Sequence, residues 1–238
     1  MTGMKLVIMQ PYIFPYIGYY QLIAASDQFV IYDDVNFIKQ GWINRNNILM
    51  GGKGTLFTVP LADQSSFKLI CETKVDPRRY ESWKQKFCRT LQMNYAKAPY
   101  FDRAFPLVQE VLDTKTELIS DIAARSLSLV CNYIGLPFHS TVSSQRFGHI
   151  KHLNGAERVK AICGELGAAV YINAAGGTEL YDKPDFAAAG LDLYFLKPAI
   201  KEYKQFKNEF VPYLSMIDVL MFNSPQEVRD MTTAYQLV

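Results

Sequence analysis

Side chains suited to gripping a small ligand crowd into residues 10–46. Gln10, Tyr12, Pro15, Gly18 and Tyr19 form one stretch; Asp33, Asp34, Lys39, Trp42, Asn44, Arg45 and Asn46 form a second. Tyr12, Tyr16, Tyr19 and Tyr20 place four phenols within nine residues. Each needs a hydrogen-bond partner if buried, so so dense a run suits a ligand-lined loop. Pro11 and Pro15 stiffen that loop. Gly18 lets the chain turn tightly, or lets a ligand approach the backbone at a helix start, where free N–H groups favour an anion. In the second stretch Arg45 can hold a phosphate or carboxylate with two parallel bonds. Asn44 and Asn46 each offer a donor and an acceptor. Asp34 is the candidate general base. Asp34, Asn44 and Arg45 are therefore the candidate catalytic residues, and the others in the two stretches are candidate substrate contacts. Adjacent strand residues point to opposite faces, so at most one of Asp33 and Asp34 should face the ligand and the other cap a turn. The bland alternatives are an aromatic clamp on a structural loop and a surface hairpin with a solvated arginine.

These residues must be positioned by the elements around them. The apolar run at 4–9 predicts a buried strand, followed by a two-proline loop, a helix from Gly18 to about Ser26, and a second strand at 28–35. That is a compact βαβ unit, with the two strands expected parallel and adjacent. Strand-like runs recur at 55–61, 136–142, 169–173 and 192–196, with helices at 116–134 and 155–166. The alternation predicts a mostly parallel α/β sheet with helices on its faces. Residues 78–113 read as two amphipathic helices, with Tyr80, Trp83, Phe87 and Leu91 as a core stripe. We take residues 1–238 as a single domain with a helical insertion over 77–115. In such sheets ligands bind beyond the carboxyl ends of strands, where Gln10 and Asp33-Asp34 stand.

Later candidates are sparser. Lys197 follows the run at 192–196, with Tyr203 and Gln205 beyond it. Asp218 interrupts an apolar run, where a carboxylate is costly unless paired; it reads as a polar anchor, or as a partner for a cation such as Arg45. Arg158 reads as a surface ion pair or a snorkelling side chain. Gly176-Gly177 is a loop at the productive end of a strand but a weak phosphate signal. Ser143-Ser144, His149 and His152 read as a polar loop.

Composition narrows the class. Hydrophobic residues at 49% indicate a globular chain. A net charge of +2, spread along the sequence, gives nucleic-acid binding no support. Four unpaired-looking cysteines and three histidines lack zinc spacing and fit a reducing compartment. No run approaches the length of a spanning helix, and the apolar N-terminal run is too short for a secretory leader. A cytoplasmic protein acting on a small molecule is expected, away from the membrane, with homo-oligomerisation left open.

The combination Gln10-Pro11-Tyr12, Pro15-x-x-Gly18-Tyr19, Phe29-Val30-x-x-Asp33-Asp34-Val35 and Gly41-Trp42-x-Asn44-Arg45-Asn46 resembles the WbqC-like family of bacterial proteins. The C-terminal half resembles it too, in Gly176-Gly177, Tyr203-x-Gln205 and the run Leu214–Leu220. The resemblance implies a setting among genes for O-antigen and other surface polysaccharides. It also implies aminoacyl (glycyl-type) or acyl transfer to an amino group of a nucleotide-linked sugar; phage relatives point to base modification. A second likeness, to the nucleotidylyltransferase and pantothenate-synthetase superfamily, implies a nucleotidylyltransferase-like, Rossmann-like sheet. That superfamily's H-x-G-H stands here as Tyr16-Ile17-Gly18-Tyr19. Tyrosine donates to phosphate without bringing charge, which counts against adenylyl transfer and leaves nucleotide-sugar binding. The alternatives to a transferase are an ATP-dependent ligase holding magnesium at Asp33 or Asp34, and an inert module binding a nucleotide-sugar or a protein. No cofactor is strongly implied.

Overall fold

The computed structural model describes residues 3–207 and 209–238. Its strands are β1 (Lys5–Met9), β2 (Gln28–Ile31), β3 (Arg45–Met50), β4 (Lys53–Thr58), β5 (Ser140–Val142), β6 (Val170–Ala174), β7 (Asp192–Pro198) and β8 (Tyr235–Leu237). The helices are α1 (Ile17–Ala25), α2 (Tyr80–Tyr95), α3 (Phe101–Leu112), α4 (Ile119–Tyr133), α5 (Ser143–Arg146), α6 (Gly155–Leu166), α7 (Lys183–Ala188), α8 (Met216–Phe222) and α9 (Pro225–Met231).

Six strands form one sheet in the order β5-β2-β1-β6-β7-β8. All neighbours are parallel except β7 and β8. This is the mostly parallel, Rossmann-like sheet flanked by helices that the alternation predicts. The β1-α1-β2 unit forms as expected, with Val7 opposite Phe29 in parallel register. Both faces are covered, which explains why the strands are apolar without alternation. Val7, Phe29, Ile31 and Ile172 face α1 and the helices α2–α4 and α8. Leu6, Ile8, Val30 and Tyr171 face α6 and α7, meeting Val159, Ile162 and Phe186. In α2, Leu91 and Phe87 are buried and Tyr80 and Trp83 partly so, and α2 and α3 share the larger core with the sheet.

Four expectations change. The run at 55–61 is no part of the main sheet; it becomes β4, antiparallel to β3 in a separate hairpin. β3 itself begins at Arg45, so Arg45 and Asn46 stand in a strand where no strand-like run was expected. The second strand of the main sheet ends at Ile31, so strand alternation never governs Asp33 and Asp34. The strand at 136–142 shrinks to Ser140–Val142.

Among the described residues, no helix is long and apolar enough to cross a membrane.

Candidate functional site

Strand order reverses at β1. From β1 the chain runs outward to β2 and β5, then returns to β6 on the other side. A crevice forms where loops leave such neighbouring strands in opposite directions. Here it is a cavity of about 490 Å³ lined by Gln10 from the end of β1, Asn173 and Ala174 from β6, Gly176 and Gly177 beyond it, and Tyr12, Tyr16, Tyr32 and Tyr181. Among the described residues, none of those lining it is an aspartate, glutamate, lysine, arginine or histidine. A second hollow of about 220 Å³ adjoins it, lined by Tyr12, Pro15, Tyr16, Trp42, Asn46 and Tyr213. Tyr12 and Tyr16 belong to both. Ile38, Trp42, Leu180 and Tyr213 are exposed and line the two hollows. Single exposed apolar residues are ordinary; four around adjoining hollows mark a binding surface.

The loop between β1 and α1 is held rigidly. Phe14 is buried with φ 41°, a left-handed conformation that costs a bulky residue energy and persists only where the surroundings enforce it. They do so from four sides. Phe14 N–H donates to Ser126 Oγ at 3.1 Å, and the Phe14 carbonyl accepts from Asn46 Nδ2 at 2.8 Å and Ser215 Oγ at 2.7 Å. Met216 N–H reaches the Pro15 carbonyl at 3.0 Å, and Ile13 N–H donates to the Ile43 carbonyl at 3.2 Å. Strain held this firmly beside a cleft points to function.

Two carboxamides reach this cleft with bonding capacity to spare. Gln10 Oε1 is buried without a hydrogen-bond partner among the described residues; the Gln10 carbonyl accepts from Tyr19 OH at 2.7 Å. Asn173 Oδ1 accepts from Ala174 N–H at 2.7 Å, which leaves Nδ2 without a partner among the described residues. Gly177 makes room for that amide, since a Cβ there would lie 2.8 Å from Nδ2. Burial raises the Tyr12, Tyr16, Tyr32 and Tyr181 hydroxyls above the ordinary tyrosine value, so they stay protonated and can donate.

Gly18 serves differently from expectation. Its place in α1 needs no unusual turn; a Cβ there would lie 2.4 Å from the Tyr16 ring. The glycine lets Tyr16 fold over the helix start and divide the two hollows.

Several candidates are engaged elsewhere. Asn44 is buried and its Nδ2 donates to the Val59 carbonyl at 2.8 Å, joining the chain before β3 to the chain after β4. Arg45 Nε donates to the Gly41 carbonyl at 2.9 Å, and Nη2 bonds the Gln40 carbonyl. Its guanidinium lies 5.9 Å from the Trp42 ring. Arg45 therefore staples its own loop, and lines neither hollow. Asn46 touches the second hollow but spends its amide on Phe14 and Ile13 and its Oδ1 on Asn47 N–H. Lys39 and Lys197 are exposed outside both hollows; Lys197 lies within β7, opposite Gln236 of β8.

Asp33 and Asp34 both turn toward α5. Asp33 accepts from Ser144 N–H at 2.9 Å and Ser144 Oγ at 2.7 Å. Asp34 accepts from Ser143 Oγ and pairs with Arg158. Arg158 is buried, not at the surface, and lies 5.1 Å from the Tyr32 ring that walls the cleft. With both carboxylates so bonded, Asp34 loses the freedom a general base needs, and the pair is a poor magnesium site. Asp218 is likewise no partner of Arg45. It is buried and accepts from Tyr95 OH at 2.8 Å, Tyr203 OH at 2.6 Å and Gln205 Nε2 at 2.7 Å. Tyr203, Gln205 and Asp218 thus tie the segment before α8 to α2, away from the cleft.

Sequence reasoning missed Asn173, Tyr32, Tyr181 and Tyr213. The rule that picked Gln10, a polar residue at the carboxyl end of a buried strand, also fits Asn173. Tyr213 gave no signal, because only the chain's return brings it against Tyr16, with ring centroids 6.0 Å apart.

Fold and site together define an α/β protein with a cleft at the switch point of a Rossmann-like sheet. The chain belongs to the WbqC-like protein family, whose model matches residues 10–230. It is 29% identical to the uncharacterized protein Rv1507c of Mycobacterium tuberculosis over 232 residues, covering 95% of this chain and 96% of the relative. No solved structure matches.

Proposed function

We propose that this protein is a group transferase that moves an acyl or aminoacyl group onto an amino group of a nucleotide-linked sugar of the kind used for surface polysaccharides. The observation that carries the reading is the uncharged cleft at the switch point, lined among tyrosines by Gln10 and Asn173, whose Oε1 and Nδ2 have no hydrogen-bond partner among the described residues. When an amine attacks a carbonyl, its N–H becomes more acidic while the carbonyl oxygen gains charge. Gln10 Oε1 would accept that N–H. Asn173 Nδ2 and a tyrosine hydroxyl would donate to the developing oxyanion. The N–C bond forms, the bond to the leaving group breaks, and the proton departs with the leaving group or water. Since no carboxylate, histidine or lysine among the described residues lines the cleft, the amine would arrive neutral. Turnover should then rise with pH through the acceptor amine's own pKa. This moves the catalytic roles from Asp34, Asn44 and Arg45 to Gln10 and Asn173.

The same lack of charge also suits a module that binds a nucleotide-linked sugar without transforming it. One experiment separates the readings. The protein is incubated with nucleotide-linked amino sugars and activated acyl or aminoacyl esters, following melting temperature and amide product by mass spectrometry. We expect ligand-induced stabilisation and an amide product, both lost in Gln10→Ala. Stabilisation with no product from any donor would favour the binding module; neither effect would refute both.

A further inference from the structure

The smaller hollow has a composition of its own. Tyr12, Tyr16, Trp42 and Tyr213 supply four aromatic rings, and Pro15 adds an apolar edge. Its one other lining side chain among the described residues, Asn46, is bonded to the Ile13 and Phe14 carbonyls and to Asn47 N–H. At about 220 Å³ it falls below the roughly 300 Å³ at which sites for whole small molecules begin. It fits a moiety, and through the shared Tyr12 and Tyr16 that moiety continues into the larger cavity. Trp42 is 45% and Tyr213 62% exposed, so aromatic surface stands open to solvent. Two further features prepare it. Arg45 ties down the Gln40 and Gly41 carbonyls, holding Trp42 in place. Tyr213 stands at φ 58°, a conformation unfavourable for a bulky residue.

We propose that this hollow is a stacking subsite for the nucleobase of the nucleotide carrier, with the sugar lying in the switch-point cavity. The assignment rests on the transferase reading for the sugar, but not for the base. Aromatic faces bind any base through its π surface. Tyrosine hydroxyls donate or accept as needed, and the one carboxamide is spent, so the subsite holds a base while discriminating weakly among them. A quaternary ammonium, the other usual guest of an aromatic cage, is disfavoured by the Arg45 charge 5.9 Å from the Trp42 ring.

The chain has two tryptophans, so Trp83→Phe leaves Trp42 as the sole reporter. We expect UMP, CMP, AMP and GMP all to quench its fluorescence, with dissociation constants within about fivefold of one another. By calorimetry, Trp42→Ala should weaken all four by at least about fivefold, as loss of a stacking ring does, and Trp42→Phe should restore most of the affinity. Tetramethylammonium should not quench. The proposal is overturned if no nucleotide binds, if one base binds a hundredfold tighter than the rest, or if tetramethylammonium binds in their place. Glucosamine 1-phosphate, which has no base, separates this from the functional reading. Nucleotides binding without it would sink the sugar site and leave the stacking subsite standing. Glucosamine 1-phosphate binding, lost in Gln10→Ala, while nucleotides fail would do the reverse.

Discussion

Asp34 and Arg158 offer the sharpest test, because catalysis and architecture predict opposite behaviour. Their side chains are 8% and 4% exposed. Arg158 bonds Asp34 twice, through Nη2 to the carboxylate and through Nη1 to the carbonyl at 3.3 Å. Removing Arg158 leaves a buried carboxylate with only the Ser143 hydroxyl. Removing the Asp34 carboxylate leaves a buried guanidinium with only the Asp34 carbonyl, its Nε already lacking a partner among the described residues. Breaking one side of such a pair costs about 3–5 kcal/mol. For a domain of this size each kcal/mol moves the melting temperature by about 2–4 °C, so Asp34→Ala and Arg158→Ala should each melt roughly 6–20 °C early. Replacing both with apolar side chains, as Asp34→Leu with Arg158→Met, removes the desolvation burden along with the attraction. That double variant should recover most of the loss, since Ser143 keeps Asp33 Oδ1 as an acceptor at 3.3 Å. Urea unfolding of the two alanine variants, the apolar double variant and wild type supplies the comparison. If both single variants stay within about 1 kcal/mol of wild type, the pair is no buried anchor. If Asp34→Asn in addition keeps full stability but loses turnover, the carboxylate is a base after all and the reasoning is refuted.

Other consequences follow from the same contacts. Burial raises the Asp218 carboxyl above its ordinary 3.8, against the lowering effect of Tyr203, Tyr95 and Gln205. The folded state then holds this proton more tightly than the unfolded chain, so its contribution is complete below about pH 3.8 and is lost as pH rises through the folded value. The stability of wild type relative to Asp218→Asn should therefore fall as pH rises from 4 to 7 in urea melts; a rising difference contradicts the assignment. Arg45→Ala should lower stability by only about 1–2 kcal/mol while increasing the rotational freedom of Trp42 in fluorescence anisotropy. Arg45→Lys should not restore rigidity, because an ammonium cannot match the planar fork that holds two carbonyls; full rescue by lysine would show that charge alone matters. Ser215 caps α8 through Ile217 N–H at 3.2 Å and holds the Phe14 carbonyl. Ser215→Ala should cost about 1–2 kcal/mol and weaken ligand binding by loosening the loop, which calorimetry against a nucleotide reads directly.

The parallel pairing of β1 and β2, and the placing of Gln10 and Tyr12 beyond a strand end, were legible because they depend on neighbours in sequence. A β-branched run, a two-proline loop and a second apolar run allow few arrangements, and a strand buried on both faces shows no alternation to mislead. Asn173 obeys the same local rule. Arg45, Asn44, Asn46 and Asp34 are different. Their types were read correctly as polar and ligand-capable, yet nothing in the sequence says which acceptor or donor each will meet. Folding leaves the carbonyls of Ile13, Phe14, Gln40, Gly41 and Val59 to be satisfied by side chains, and backbone groups outside regular ladders take whatever partner stands within reach. The asparagines and the arginine are consumed in this way, and Asp34 by an arginine 124 residues away. Sequence alone determined the β1-α1-β2 unit, its productive end and the aromatic loop. Only the tertiary structure decided which polar groups remain free, because a hydrogen bond spent on the fold leaves no trace in residue type or spacing.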